Sequence, residues 1–427
     1  AYPITPQTPL TEKLSEYIDS GQMKAEYIPV ESEHSAMAVC IAAASAGARV
    51  STATSANGLL YMHEQVQWAS GARLPIVMCV VNRAVGAPWN IWNDQQDSIS
   101  QRDTGWMQLY CADHQQIIDT VIKAYWIAEK SSIPVMVCYD GYILSHTYMP
   151  FELPDQDKVD LFLPPFRPDY ALSTTEPANL NTVTLPDTRV DVHGELAHGY
   201  MEIRYLLQED LRNSLGIIAQ AQERFSDIFG RGADPYLEPY LCEDARYVAL
   251  GMGSLTYQLR VCVDALRAEG IKVGVMGLRV YRPFPDEALA AALKGKKGVI
   301  VFEKALSYGY EGALASDLKA ALYDRLAATG VHFTSFFCVS PVCSPARASI
   351  LTGRIPSQHG VHDWLRAGSS TIEPDRGGRL TDYLDRQTAY TELLAEAGYT
   401  CGISGKWHMG EDNDAKRPGF DYFATHK

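Results

Sequence analysis

Thr5, Glu33 and Arg83 are the residues of this 427-residue sequence whose types and settings first suggest chemistry. Tyr2-Pro3-Ile4-Thr5-Pro6 reads as a turn pinned by two prolines at the end of a strand. Pro6 biases Thr5 away from helix, so its hydroxyl has a fixed direction. Glu31-Ser32-Glu33-His34 stands directly before a helix of small residues, where the chain can pack closely against something flat. Glu33 then enters an apolar region, a costly placement for a carboxylate without a partner. Asn82-Arg83 follows an apolar strand over 76–81, at the carboxyl end where open α/β sheets bind ligands. An arginine there can hold a carboxylate through paired hydrogen bonds. Taken one at a time, the same residues are also an ordinary turn, a helix N-terminal charge and a loop arginine.

The elements that must position them follow from the apolar pattern. Residues 37–48 read as helix, 50–54 as strand, 59–69 as helix, 76–81 as strand, 115–129 as amphipathic helix and 133–139 as strand. Strands apolar along their whole length are buried on both faces, which predicts a parallel sheet covered by helices in a doubly wound α/β domain. A proline-rich acidic stretch over 153–186 reads as an extended surface connector that contacts a partner subunit. A long polar helix over 199–224 leads into a second α/β unit, with strands at 247–251, 272–276 and 298–302 and helices at 255–269 and 287–293. Composition changes near Tyr323, so the expected division is 1–150, a connector with helix at 151–240, 241–323 and 324–427.

A hydrophobic content of 46% is enough for more than one core. The balance of 37 basic against 51 acidic residues gives a net charge of -14, which repels phosphate backbones and excludes nucleic acid as an expected partner. No apolar run approaches the roughly 20 residues a membrane helix needs. The sequence starts without methionine, as a fragment would, and shows no basic or apolar leader. Its nine cysteines form no C-x-x-C pair and read as reduced thiols in a cytoplasm.

Several segments occur in order: Tyr-Pro-Ile-Thr-Pro at 2–6, Glu-Ser-Glu-His-Ser-Ala at 31–36, Thr-Ser-Ala-Asn-Gly-Leu at 54–59 and Asn-Arg-Ala at 82–84. Trp92-Asn93-Asp94 with Asp97, Arg-Asp-Thr-Gly-Trp at 102–106, Asp-Gly-Tyr-Ile-Leu-Ser-His-Thr at 140–147 and Leu-Arg-Val-Tyr-Arg-Pro-Phe at 278–284 follow. Over 1–322 the chain resembles the α subunit of the thiamine-diphosphate-dependent 2-oxoacid:ferredoxin oxidoreductases, the pyruvate type above all. The resemblance implies a pyrimidine-type thiamine-diphosphate-binding domain plus a transketolase C-terminal-like α/β domain. It implies that Glu33 bonds the pyrimidine N1′ of the cofactor, favouring the tautomer that deprotonates the thiazolium. Thr5 and Arg83 would hold the substrate, the hydroxyl near the reacting carbonyl and the guanidinium on its carboxylate. The family's diphosphate-magnesium motif and cluster cysteines do not occur in this sequence, and in the family both lie on another subunit. The implied reaction is oxidative decarboxylation of a 2-oxoacid, with transfer of the acyl group to coenzyme A and of electrons to ferredoxin. It requires β, γ and δ-type partner subunits that share the thiamine diphosphate and carry Mg2+ and 4Fe-4S clusters.

A second constellation lies further along. Cys343-Ser344-Pro345-Ala346-Arg347, followed by Leu351-Thr352-Gly353 and later by Gly405-Lys406-Trp407-His408, resembles the signatures of the formylglycine-dependent sulfatases. The resemblance implies that Cys343 is oxidised to formylglycine, whose hydrated form is the nucleophile, with Arg347 stabilising it. Lys406 and His408 would contact the sulfate and the leaving group. A complete domain of that family also binds Ca2+ through carboxylates. Residues 324–427 are therefore expected to be a truncated, loosely packed segment of an alkaline-phosphatase-like (sulfatase) α/β domain, joined at Leu322-Tyr323-Asp324 as in a recombined reading frame. Sulfuric ester hydrolysis and a catalytically silent chimera are the alternatives to the oxidoreductase reading.

Overall fold

The computed structural model describes residues 1–167, 200–326, 343–362, 384, 387–406 and 418–426. The chain divides into two compact units, Ala1–His332 and Phe333–Lys427.

The first unit opens with helices α1 (Thr8–Asp19) and α2 (Glu33–Ser45) and strand β1 (Ser51–Thr54). There follow α3 (Ala56–Tyr61), α4 (His63–Gly71), β2 (Val77–Asn82), α5 (Gln96–Ile99), β3 (Met107–Cys111), α6 (His114–Ser131) and β4 (Val135–Asp140). The four strands are parallel in the order β1-β2-β4-β3. The alternation of strand side chains explains why these segments are apolar throughout. Met78, Val80, Met136 and Cys138 face one core, while Val77, Val81, Val135 and Val137 face the other.

After α7 (Gln156–Phe162) and the long α8 (Tyr200–Phe229), a second sheet begins with β5 (Leu237–Tyr240) and β6 (Tyr247–Met252), then α9 (Leu255–Ala268) and β7 (Val273–Leu278). The chain returns at once to the first sheet, where β8 (Val280–Arg282) runs antiparallel to β3. Helix α10 (Asp286–Leu293) and β9 (Gly298–Val301) complete the second sheet in the order β5-β7-β6-β9, and α11 (Ala313–Leu326) follows. One apolar core is continuous through both sheets, joining Met78 and Met136 to Val248, Leu250 and Met276.

Three expectations change. The strand expected before Thr5 is instead a turn leading into α1, whose first turn accepts Pro9 because the N–H that proline lacks has no helical partner there. The helix expected over 59–69 is divided at Met62 into α3 and α4. The connector is helical at α7 rather than extended, because Phe162 is drawn into a fully buried cluster with Phe225 and Phe229, at ring separations of 5.7 and 6.1 Å. The part of the connector over 168–186 lies outside the described residues. Helix α11 runs through 322–324 without a break, and Leu318 and Leu322 on it pack into the first unit's core.

Lys123 on α6 carries a testable consequence of this packing. Its ammonium donates to Gln222 Oε1 at 2.6 Å and lies 5.3 Å over the Phe225 ring. Burial pushes its pKa down from 10.5 to about 8, with the nearby Arg279 adding to the effect. Below pH 8 the fold bears the full cost of keeping this group charged. Between pH 8 and 10.5 the unfolded chain holds a proton that the folded chain has released, so stability from this site rises with pH, by up to about 1.4 kcal/mol per unit. Lys123→Met is expected to raise the melting temperature at pH 7, with an advantage that shrinks by pH 10. Thermal melts at the two pH values check this, and a Met variant less stable at pH 7 refutes it.

The second unit, taken by itself, contains α12 (Cys343–Thr352), α13 (Pro356–His359) and α14 (Tyr390–Glu396), with β10 (Gly402–Lys406) parallel to β11 (Tyr422–His426). Ala348, Leu351, Val361, Leu384, Ala389 and Phe420 form its described core.

Candidate active site

The carboxyl ends of β1, β2 and β4 lie side by side, and the segments leaving them are tied together. Ser55 Oγ donates to the Val81 carbonyl at 2.7 Å, and Asn57 Oδ1 accepts from the Gly86 N–H at 3.0 Å. Between them sits Asp97 at the start of α5, fully buried. Its Oδ1 accepts from Asn82 Nδ2 and the Ser98 N–H, both at 2.8 Å. Its Oδ2 accepts from the Ala56 N–H at 2.9 Å and the Arg83 N–H at 3.1 Å. Burial pushes the Asp97 carboxyl up to about 6, against the pull of these donors.

Glu33 is the first residue of α2, a helix begun by Ser32, whose side chain accepts from the Ser35 N–H. Its side chain is buried and lies across Gly58 of α3. A Cβ at position 58 would stand 2.5 Å from Glu33 Oε1 and 2.8 Å from Thr54 Oγ1. The Thr54 hydroxyl is buried and without a partner. Among the described residues, no hydrogen bond or ion pair engages the Glu33 carboxylate either.

Arg83 is 5% exposed, and its Nη1 donates to the Thr5 carbonyl at 2.7 Å. Its Nε has no partner, and among the described residues no carboxylate forms an ion pair with it. Burial lowers its pKa, while Asp97 and Tyr142 oppose that shift. Thr5 and Arg83 are thus brought together, although the contact uses the backbone of Thr5 and not its hydroxyl, which belongs to an exposed residue. Gly141 closes the corner: its N–H donates to the Asn82 carbonyl at 2.9 Å, and a Cβ there would stand 3.0 Å from Pro6 Cγ. A buried cation with spare donors can hold an anion, and a buried carboxylate lacking a partner can share a proton with a ligand nitrogen.

Residues 1–210 match the family model described as pyruvate flavodoxin/ferredoxin oxidoreductase, thiamine-diphosphate-binding, and residues 245–336 match pyruvate:ferredoxin oxidoreductase core domain II. The pyruvate synthase subunit PorA of Methanothermobacter thermautotrophicus is 46% identical over 326 residues, which are 76% of this chain and 82% of that relative. The chain belongs to the pyruvate:ferredoxin oxidoreductase family. Another relative, the ketoisovalerate oxidoreductase subunit VorA of Pyrococcus horikoshii, is 46% identical over 78% of this chain and 81% of its own. A solved 2-oxoglutarate:ferredoxin oxidoreductase from Magnetococcus marinus shares the fold, with a TM-score of 0.55 at 20% identity over 75% of this chain and 56% of that one. Residues 298–427 match the sulfatase family model, which overlaps the core domain II match over 298–336.

The residues of this oxidoreductase chain fit the pyrimidine end of thiamine diphosphate. A heteroaromatic ring needs partners for its nitrogen and amino groups; the Glu33 carboxylate lies beside Gly58, and the buried Thr54 hydroxyl has no partner among the described residues. The missing Cβ at Gly58 keeps the space beside them open. The site also connects to the second sheet through Asp140 at the end of β4. This fully buried carboxylate accepts from Gln95 Nε2 at 3.1 Å and the Ser254 N–H at 2.8 Å, and Lys304 Nζ lies 3.3 Å away. Sequence reasoning missed the roles of Asp97, Asp140 and Thr54. Asp97 and Asp140 stood inside recognised segments, and the one available signal was an acidic residue beside apolar runs.

In the sulfatase-like unit, Arg347 is half-buried on α12. Cys343 begins α12 and Lys406 ends β10, while their side chains and the whole of His408 lie outside the described residues. Ser349 Oγ and His359 Nε2 are 2.9 Å apart, and His359 Nδ1 accepts from the Val361 N–H at 3.2 Å. Burial lowers the pKa of this histidine. The contact between this ring and the Ser349 hydroxyl fastens α12 to α13.

Proposed function

We propose that this chain is the α-type subunit of a pyruvate:ferredoxin oxidoreductase and supplies the pyrimidine-binding half of a thiamine diphosphate site shared with a partner subunit. The observation that carries the reading is the buried Glu33 side chain over Gly58, whose carboxylate has no hydrogen-bond or ion-pair partner among the described residues. When bound, thiamine diphosphate supplies the electron sink for cleaving the bond between the 2-oxo carbon and the carboxylate. Glu33 holds a proton at the pyrimidine N1′. Arg83 binds the substrate carboxylate with its spare N–H groups, oriented by the Thr5 carbonyl, and its burial strengthens that attraction by excluding water. The Thr5 hydroxyl is assigned to the reacting carbonyl.

Both family models that cover the first unit name pyruvate, so pyruvate is the first oxoacid to test and the branched-chain type the second. β, γ and δ-type subunits carrying Mg2+ and 4Fe-4S clusters complete the site, coenzyme A takes the acyl group, ferredoxin takes the electrons, and the compartment is the cytoplasm. No helix among the described residues is long and apolar enough to cross a membrane. The limits 1–150, 151–240, 241–323 and 324–427 are retained as functional divisions, with the connector contacting a partner subunit and the last segment catalytically silent.

Co-expression with the partner subunits tests the reading. The purified complex is expected to reduce ferredoxin in the presence of pyruvate, coenzyme A and thiamine diphosphate, and to release no sulfate from an aryl sulfate. A complex that assembles with the cofactor yet turns over no 2-oxoacid overturns it.

A further inference from the structure

We propose that Asp97 is a positioning residue that fixes the spacing between the cofactor half and the substrate half of this site. The inference rests on the thiamine-diphosphate reading and assigns a role to a residue that touches neither ligand. One oxygen, Oδ2, accepts from both the Ala56 and the Arg83 N–H groups, at 2.9 and 3.1 Å. Ala56 begins α3, the helix that presents Gly58 to Glu33. Arg83 carries the guanidinium. A single atom therefore ties the two backbones directly to each other, beside the Ser55–Val81 and Asn57–Gly86 bonds.

The second oxygen, Oδ1, is held by Asn82 Nδ2 and the Ser98 N–H, so the carboxylate cannot rotate without losing two bonds. Ala56 has a φ of 46°, a left-handed conformation that non-glycine residues adopt rarely and retain where their surroundings impose it. Its N–H bond to Asp97 and its complete burial are that imposition. Enclosed as it is, Asp97 can act on the reaction only through these neighbours. The parallel links from Ser55 to Val81 and from Gly86 to Asn57 remain when Asp97 is changed. Loss of the carboxylate should therefore loosen the geometry without detaching the segments.

The test is Asp97→Asn in the reconstituted holoenzyme. An amide retains one acceptor oxygen and turns N–H groups toward two of the four donors. The 2-oxoacid KM and the thiamine diphosphate Kd are each expected to rise at least tenfold, with kcat changed less and helix content retained by circular dichroism. If Asp97 only supports the fold, the variant loses melting temperature and active fraction while KM and Kd of the surviving molecules stay at wild-type values, and that result overturns the proposal. Should Asp97→Asn fail to assemble, Asn82→Ala removes one side-chain donor to the carboxylate and leaves its backbone donors in place. A KM rise of about threefold is then expected, and an unchanged KM refutes the inference. Failure of the underlying reading is seen separately, as a wild-type complex that binds no thiamine diphosphate, and it takes this inference with it.

Discussion

Glu33→Gln in the assembled complex is expected to lower oxoacid turnover by at least about a thousandfold while leaving assembly intact. The amide is nearly isosteric with the carboxylate and can still bond a ring nitrogen, but it cannot hold and return a proton there; proton transfer by a positioned side chain typically contributes 10²–10⁴-fold. The effect on stability should be small. Among the described residues no hydrogen bond or ion pair of the carboxylate is lost on this change, so the variant should melt within a few degrees of wild type. Ferredoxin reduction and a thermal melt on one preparation measure both. Turnover above a tenth of wild type would remove Glu33 from the mechanism.

Gly58→Ala is the sharper geometric test, because general propensity and local geometry disagree. Alanine inside a helix is favoured over glycine by about 1 kcal/mol, which alone would make the variant slightly more stable. The new methyl group, however, falls 2.5 Å from Glu33 Oε1 and 2.8 Å from Thr54 Oγ1. The carboxylate is the free end of a flexible side chain and can swing away at little cost to the fold. We therefore expect a melting temperature within a few degrees of wild type, thiamine diphosphate affinity at least tenfold weaker, and turnover reduced about a hundredfold. Cofactor affinity unchanged by the methyl group would mean that the space over Gly58 is not the pyrimidine site.

Much of the scaffold was legible in the sequence because its signal is a continuous apolar run. β1, β2, β4, β6, β7 and β9 stand within a few residues of where the pattern put them. β3 was not found, since Gln108 interrupts it; the side chain is nonetheless fully buried, with its amide donating to the Ser98 carbonyl at 2.6 Å. β8 is three residues long, too short to show any period. Motif resemblance singled out Glu33, Thr5 and Arg83 as candidates, and the structure brings Thr5 and Arg83 into contact through a carbonyl that no side-chain reading would choose. Asp97 remained unassigned for a related reason. Three of its four donors are backbone N–H groups, which any residue type can supply, so neither composition nor spacing marks the arrangement.

The short strand β8 has a consequence for how the molecule is made. Leu109 pairs with Val280, so the outer side of β3 cannot pair with β8 until the ribosome has added 171 further residues. At 5–20 residues per second that interval lasts about 10–30 s. Throughout it the nascent polypeptide offers an unpaired row of amides and carbonyls to any neighbouring strand. Two polypeptides cut between 140 and 237 must find each other before the five-stranded sheet gains β8, although all four strands of the second sheet lie on the C-terminal piece.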